Sequence, residues 1–229
     1  MILPAISRSL AQMPTRAMLR PLLIGLVVTA ACIAALGVTV GAAAGWLVSG
    51  VSIPLVGEIG GAADDAVGWI TGIGSVVAMA FAFTPAAALA IGFFVDPVAD
   101  AVEARHYPEL GPARGRSLGT EVAMGLRYAG LAVALNIPLL PFYFIFPPLP
   151  AVVNGWLLGR AFFDMAALRR ETPESTRALR RSVRFQMVAG GILFAILNFV
   201  PLLNLVVPVF GLAVMTHLYN GARRRGAAT

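Results

Sequence analysis

Lysine is absent from the 229 residues, and all 17 basic residues are arginine. Cysteine occurs once, as Cys32, so neither an intrachain disulfide nor a cysteine-based zinc site can form. Cys32 lies inside an apolar run, which reads as a small buried or lipid-facing side chain. The two histidines, His106 and His217, are far apart in the chain. Charge is scarce: 12% of residues are charged, against roughly 25% in a soluble domain. That leaves too little polar surface to cover a water-facing core, and the same scarcity excludes a disordered chain. No phosphate-binding G-x-x-x-x-G-K-[ST] loop, H-E-x-x-H helix or G-x-S-x-G elbow is present. An ATP-driven pump, a zinc hydrolase and a serine hydrolase therefore lack their machinery. The expectation is a protein that is not an enzyme and uses no cofactor and no metal.

Apolar residues dominate, at 59% of the chain with a mean hydropathy of +0.84. Four stretches contain no Asp, Glu or Arg: 21–57, 66–95, 128–159 and 185–222. About 20 apolar residues cross a bilayer core of about 30 Å. The spacing predicts transmembrane helices over 21–48 and 66–95. The first, about 42 Å long, is far longer than the apolar core of a cleaved signal peptide.

Proline interrupts the other two stretches. Asn136-Ile137-Pro138-Leu139-Leu140-Pro141 and Pro147-Pro148-Leu149-Pro150 break the third, because proline lacks a donor and clashes with the preceding turn. The arm from Arg127 to Ile137 then reaches only about 17 Å, roughly half a bilayer. A first helical hairpin over 127–163, entering and leaving by one face, fits best. The fourth stretch breaks at Asn198-Phe199-Val200-Pro201 and again at Pro208, and its arms leave two short full crossings open. A helix start at Thr172-Pro173-Glu174 leads into a second hairpin, giving a unit over 173–222. Asp96-Pro97 reads as the N-cap of another helix ending near His106. The whole chain, 1–229, reads as one all-α integral membrane domain.

The net charge of +6 is distributed by segment. Arg8, Arg16 and Arg20 precede the first span without an acid, whereas Glu58, Asp64 and Asp65 follow it without a base. Residues 160–184 carry seven arginines against three acids, and Arg223, Arg224 and Arg225 close the chain. The positive-inside rule puts both termini in the cytoplasm. Arginines that flank apolar runs point to lipid headgroups and orientation, and away from nucleic acid.

Arg177, Arg180, Arg181 and Arg184 share one helical face. They suit anionic headgroups or an anion funnel. Asp96, Asp100 and Glu103 form an acidic stripe suited to ion pairing with those arginines, or to a divalent cation. Arg16, Arg20 and Arg127 stand at the entrances to apolar stretches, where arginine either snorkels or holds a tetrahedral oxyanion through its planar fork. Arg127, just before a half-membrane helix, would add the helix's free N–H groups to its own. Gly37-x3-Gly41-x3-Gly45, Gly68-x3-Gly72 and Gly155-x3-Gly159 permit close helix approach. Asn198 and Asn204 suit the free backbone groups of a bend.

Pro201-Leu202-Leu203-Asn204-Leu205, followed by Val206-Val207-Pro208, resembles the last hairpin of the CysZ sulfate permeases, within the wider etoposide-induced membrane protein superfamily. The run from Asp96-Pro97 to Ala104-Arg105 is similar to that superfamily's segment after its second long helix. Phe163-Asp164 and Arg127 with Ile137-Pro138 resemble the end and entry of its first hairpin. The resemblance implies two long transmembrane helices, two proline-broken re-entrant (hemi-penetrating) hairpins and a homo-oligomer in the bacterial inner membrane. It also implies a permease or channel that takes up sulfate, or related sulfite, for cysteine biosynthesis. The family's Gly-Leu-Arg-like motif, with adjacent arginines, is replaced here by Pro14-Thr15-Arg16, with Arg20 four residues on. Arg16, Arg20 and Arg127 are the expected sulfate-binding residues. The alternative is a non-transporting, membrane-shaping or interaction protein that uses its hairpins as wedges.

Overall fold

The computed structural model describes residues 1–50, 95–113 and 118–226. The expected second span lies outside them apart from Val95, as do Glu58, Asp64, Asp65, Gly68 and Gly72. Among the described residues every regular element is helical. In chain order these are α1 (Ile2–Gln12), α2 (Arg16–Gly50), α3 (95–106), α4 (Leu118–Ile145), α5 (Leu149–Ala167), α6 (Pro173–Ser182), α7 (Arg184–Leu197) and α8 (Pro201–Gly226). A 3₁₀ turn, Pro108–Leu110, follows α3 and ends at Gly111, whose φ of 63° suits a residue without a Cβ.

Apolar residues run all round α8, which makes it the central helix. Leu212, Ala213, Val214, Met215, Leu218 and Tyr219 are all buried. Helices α1, α2, α5, α6 and α7 pack around it. Edge-to-face rings tie the layers together: Phe162 to Phe194 at 5.8 Å, Phe194 to Phe210 at 6.0 Å and Phe163 to Tyr219 at 6.4 Å between centroids.

The most extensive packing joins α5 and α7. Glycine makes it possible. A Cβ on Gly155 would lie 2.7 Å from the Ile192 backbone, and one on Gly191 would overlap the Gly155 carbonyl. Thus Gly155-x3-Gly159 finds its partner helix within the same chain. Gly37 and Gly41 on α2 face open space instead.

Two described segments are long and apolar enough to cross a membrane, Ala123–Ile145 and Leu203–Gly226. None of the most apolar 18-residue stretch of the first is buried within the protein, whereas 78% of that of the second is. The exposed face of the first presents Val133, Ile137, Leu140, Phe142, Phe144 and Ile145.

Proline behaves differently from the sequence expectation. Helix α4 runs through Pro138 and Pro141 for 28 residues, about 42 Å, so its arm is not a half-length one. Side chains stitch the helix across both prolines. Tyr143 donates its hydroxyl to Asn136 Oδ1 at 2.6 Å, and Asn136 donates to the Ala132 carbonyl at 2.9 Å. Where water cannot take over a backbone bond, a helix keeps its remaining ones. The chain turns at 146–148, where Pro147 and Pro148 remove two successive donors. Helix α8 likewise continues through Pro208, held by the buried neighbours Val207, Val209 and Phe210. The expected break at 198–200 is present.

Local capping chemistry was legible at one helix start. Thr172 caps α6, its hydroxyl accepting the Ser175 N–H at 3.3 Å. The expected continuation stops at Val183, which separates α6 from α7. Asp96 is not an N-cap, because Val95 before it is already helical. The N-terminal segment forms α1, which turns Ala5, Ser9 and Gln12 inward.

Candidate functional site

Polar groupings interrupt this apolar framework. The first is the acidic stripe of α3. Its partner is not the α6 arginine face but Arg169 and Arg170, just after α5. Arg169 is almost fully buried and donates to Asp96 at 2.7 Å, to Asp100, and to Glu103 at 3.4 Å. Arg170 adds a bond to Glu103 at 2.8 Å and reaches the Leu110 and Gly111 carbonyls. Burial disfavours the Arg169 charge, but hydrogen bonds to Asp100 and Asp96 outweigh it and raise its pKa. The stripe is thus occupied by guanidinium groups. Among the described residues no group of three or more His, Cys, Asp or Glu is placed to hold a metal ion.

The second grouping lies between α4, α5 and α6. Asp164, buried on α5, accepts from the Tyr128 hydroxyl of α4 and from Arg180 of α6. The Arg180 member of the expected cationic face is therefore drawn inward, while Arg177 and Arg181 stay exposed. Arg184 lies over the Phe185 ring, 4.6 Å from its centroid. Arg160, one turn before Asp164, sits over the Trp156 ring, and its buried Nε has no hydrogen-bond partner.

The third grouping continues from there along the α4–α5 seam. Tyr128, Ala132 and Asn136 fall at successive i+4 positions and so share one face of α4. Asn136 and Asn154 exchange amide bonds at 3.3 Å. A cleft of about 370 Å³ opens beside them, with Tyr128, Asn154 and Asn198 among its walls. Asn198 Oδ1 is buried there without a partner, so this amide does not cap the bend as expected. The seam thus places hydrogen-bonding side chains, Tyr128, Asn136 and Asn154, between otherwise apolar helices.

The fourth grouping gathers both histidines. Their ring centroids are 4.8 Å apart, and the Tyr107 hydroxyl meets His217 Nδ1 at 3.0 Å. Burial, then the charges of Arg105 and Arg8, lower the His106 pKa. Burial pushes the Tyr107 hydroxyl up, opposed by Arg8 and Arg224.

Arg16 and Arg20 are exposed on the first turns of α2, and Arg127 is exposed on α4. Helices α2 and α4 share no extended packing. Arg127 also does not precede a helix: α4 begins at Leu118, so the backbone N–H groups around Arg127 belong to the helix interior and are not free to bind an anion. Asp164, Arg180 and the two histidines carry no local signal of their roles, since their partners come from other helices.

A family model described as sulfate transporter CysZ/etoposide-induced protein 2.4 matches residues 5–208. No curated protein matches the chain.

Proposed function

The chain belongs to the sulfate transporter CysZ/etoposide-induced protein 2.4 family, and from that premise we propose that it is an oxyanion permease passing sulfate across the bacterial inner membrane. The family match, which runs through nearly every described element, is the observation that carries this reading. The physical chemistry agrees with it. The apolar segment Ala123–Ile145, whose most apolar 18 residues include none that is buried in the protein, needs lipid around it, because a contiguous apolar face is costly in water. The polar seam behind that face gives a solute something other than hydrocarbon to meet.

In this proposal Arg16 and Arg20 recruit the dianion at the membrane face, and Arg127 lies at the outer side of the seam. Guanidinium forks suit tetrahedral oxyanions, and positions near the ends of the apolar segments let these arginines snorkel to the interface, where their charge costs little. The first hairpin inserts into the bilayer with α4 long enough to cross it, the second is re-entrant or short-spanning, both termini are cytoplasmic, and protomers associate through faces such as the open Gly37 and Gly41 surface of α2. Sulfate entering this way would supply cysteine synthesis.

The test is uptake of radiolabelled sulfate by liposomes carrying the protein. Replacing Arg16 and Arg20 together by Ala is expected to lower uptake at equal inserted protein. Unchanged uptake by the double variant refutes their role.

A further inference from the structure

A separate cavity of about 280 Å³ lies where α1, the turn after α3 and the end of α8 meet. Its polar lining consists of Arg8, Tyr107, His217 and Arg224, above apolar Met1 and Ala5. Among the described residues no carboxylate lines it. Glu109 holds Arg224 from outside, and the Arg224 guanidinium lies 4.7 Å from the Tyr107 ring centroid. His217 is only 4% exposed, and its Nε2 is buried with no hydrogen-bond partner. When the Tyr107 hydroxyl donates to Nδ1, the proton of the neutral imidazole resides on Nε2. In that tautomer the buried Nε2–H has no acceptor among the described residues, which is costly, and an acceptor entering the cavity would satisfy it. Arg8 and Arg224 line the same cavity as His217, and the ligand chemistry that suits two guanidinium groups and an imidazole N–H together is an acceptor-rich anion.

We propose that Arg8, His217 and Arg224 form an oxyanion-binding site at this end of the helix bundle, distinct from the arginines of α2 and α4. The ligand chemistry is a tetrahedral oxyanion, from free sulfate or from a lipid phosphate. The proposal goes beyond the permease reading, since binding here stands whether or not transport occurs.

The experiment uses the full-length protein purified in detergent, in an Arg16→Gln/Arg20→Gln/Arg127→Gln background so that the other proposed oxyanion residues are silent. Sodium sulfate is titrated calorimetrically at ionic strength matched with chloride, and native mass spectrometry follows retained phosphatidylglycerol. Saturable sulfate binding, or phosphatidylglycerol that sulfate displaces, is expected. Adding Arg8→Gln or Arg224→Gln should weaken it by about tenfold or more, as for loss of a charged hydrogen bond. Both residues are exposed, so these variants should fold even if His217→Gln does not. Arg177→Gln removes the same charge elsewhere and serves as the control. A sulfate response with no retained lipid assigns a soluble oxyanion, and a displaced lipid assigns the phosphate headgroup. Binding of neither ligand, or binding that Arg8→Gln and Arg224→Gln weaken no more than Arg177→Gln, overturns the site.

Discussion

Replacing Arg169 by Met should loosen the clamp that holds α3 onto the end of α5. The Arg169 side chain is 1% exposed, and it touches three carboxylates of unequal burial. Asp96 and Asp100 are 38% and 59% exposed, so each regains water and contributes only about 0–1 kcal/mol. Glu103 is 4% exposed and cannot. Stranding a buried charge costs about 3–5 kcal/mol, but Arg170 remains 2.8 Å from Glu103 and retains part of that. The expected loss is therefore roughly 2–3 kcal/mol. At about 2–4 °C per kcal/mol for a chain of this size, Tm should fall by roughly 4–12 °C. Tryptophan fluorescence during heating in detergent reads it, with exposed Arg177→Met as the control. A double cycle with Glu103→Gln should show coupling of about 1 kcal/mol or more. A fall no larger than that of Arg177→Met would refute the clamp. Restoration by Mg²⁺ or Ca²⁺ would return the stripe to the metal reading.

Gly191→Ala should destabilise the fold strongly, because its Cβ would strike the Gly155 carbonyl, whereas Gly37→Ala, which faces open space, should be neutral or stabilising by up to about 1 kcal/mol; equal Tm values would contradict the α5–α7 contact. Asp164→Asn should cost about 2–4 kcal/mol and Tyr128→Phe about 1 kcal/mol, since only the former strands Arg180; thermal unfolding with the order reversed would reject Asp164 as the hub. The lowered His106 pKa means the unfolded chain binds more protons below about pH 6.5, so stability should fall as pH drops from there toward the folded-state value. The groups facing His106 are His217 and Tyr107 at ring distance and the charges of Arg8 and Arg105. His106→Gln should flatten a Tm profile between about pH 7 and pH 5, and an unchanged slope would exclude His106 as its source.

What the sequence made legible was what depends on neighbours in the chain. Thr172 and Pro173 start a helix because capping involves residues three apart. The turn at 198–200 follows from Pro201, with Asn198 three residues before it. The shared face of Asp96, Asp100 and Glu103 followed from helical spacing, yet its partners did not, because Arg169 and Arg170 come from a distant segment. Nothing local distinguishes them from the α6 arginines. Pro138, Pro141 and Pro208 were misread for a physical reason: proline's cost is set by whether water can replace the lost bond, and tertiary packing decides that. The histidine cluster, formed across 110 residues between Tyr107 and His217, had no periodic signal. Arg16, Arg20 and Arg127 were legible as cations at apolar borders, and they are exposed on α2 and α4.

The most direct test of the central claim is labelled sulfate uptake by liposomes carrying the wild-type protein, compared with empty liposomes. The account predicts saturable, protein-dependent uptake that sulfite reduces by competition. Uptake no greater than that of empty liposomes, with the protein folded and inserted, would contradict it and favour a membrane protein of this family that does not transport sulfate.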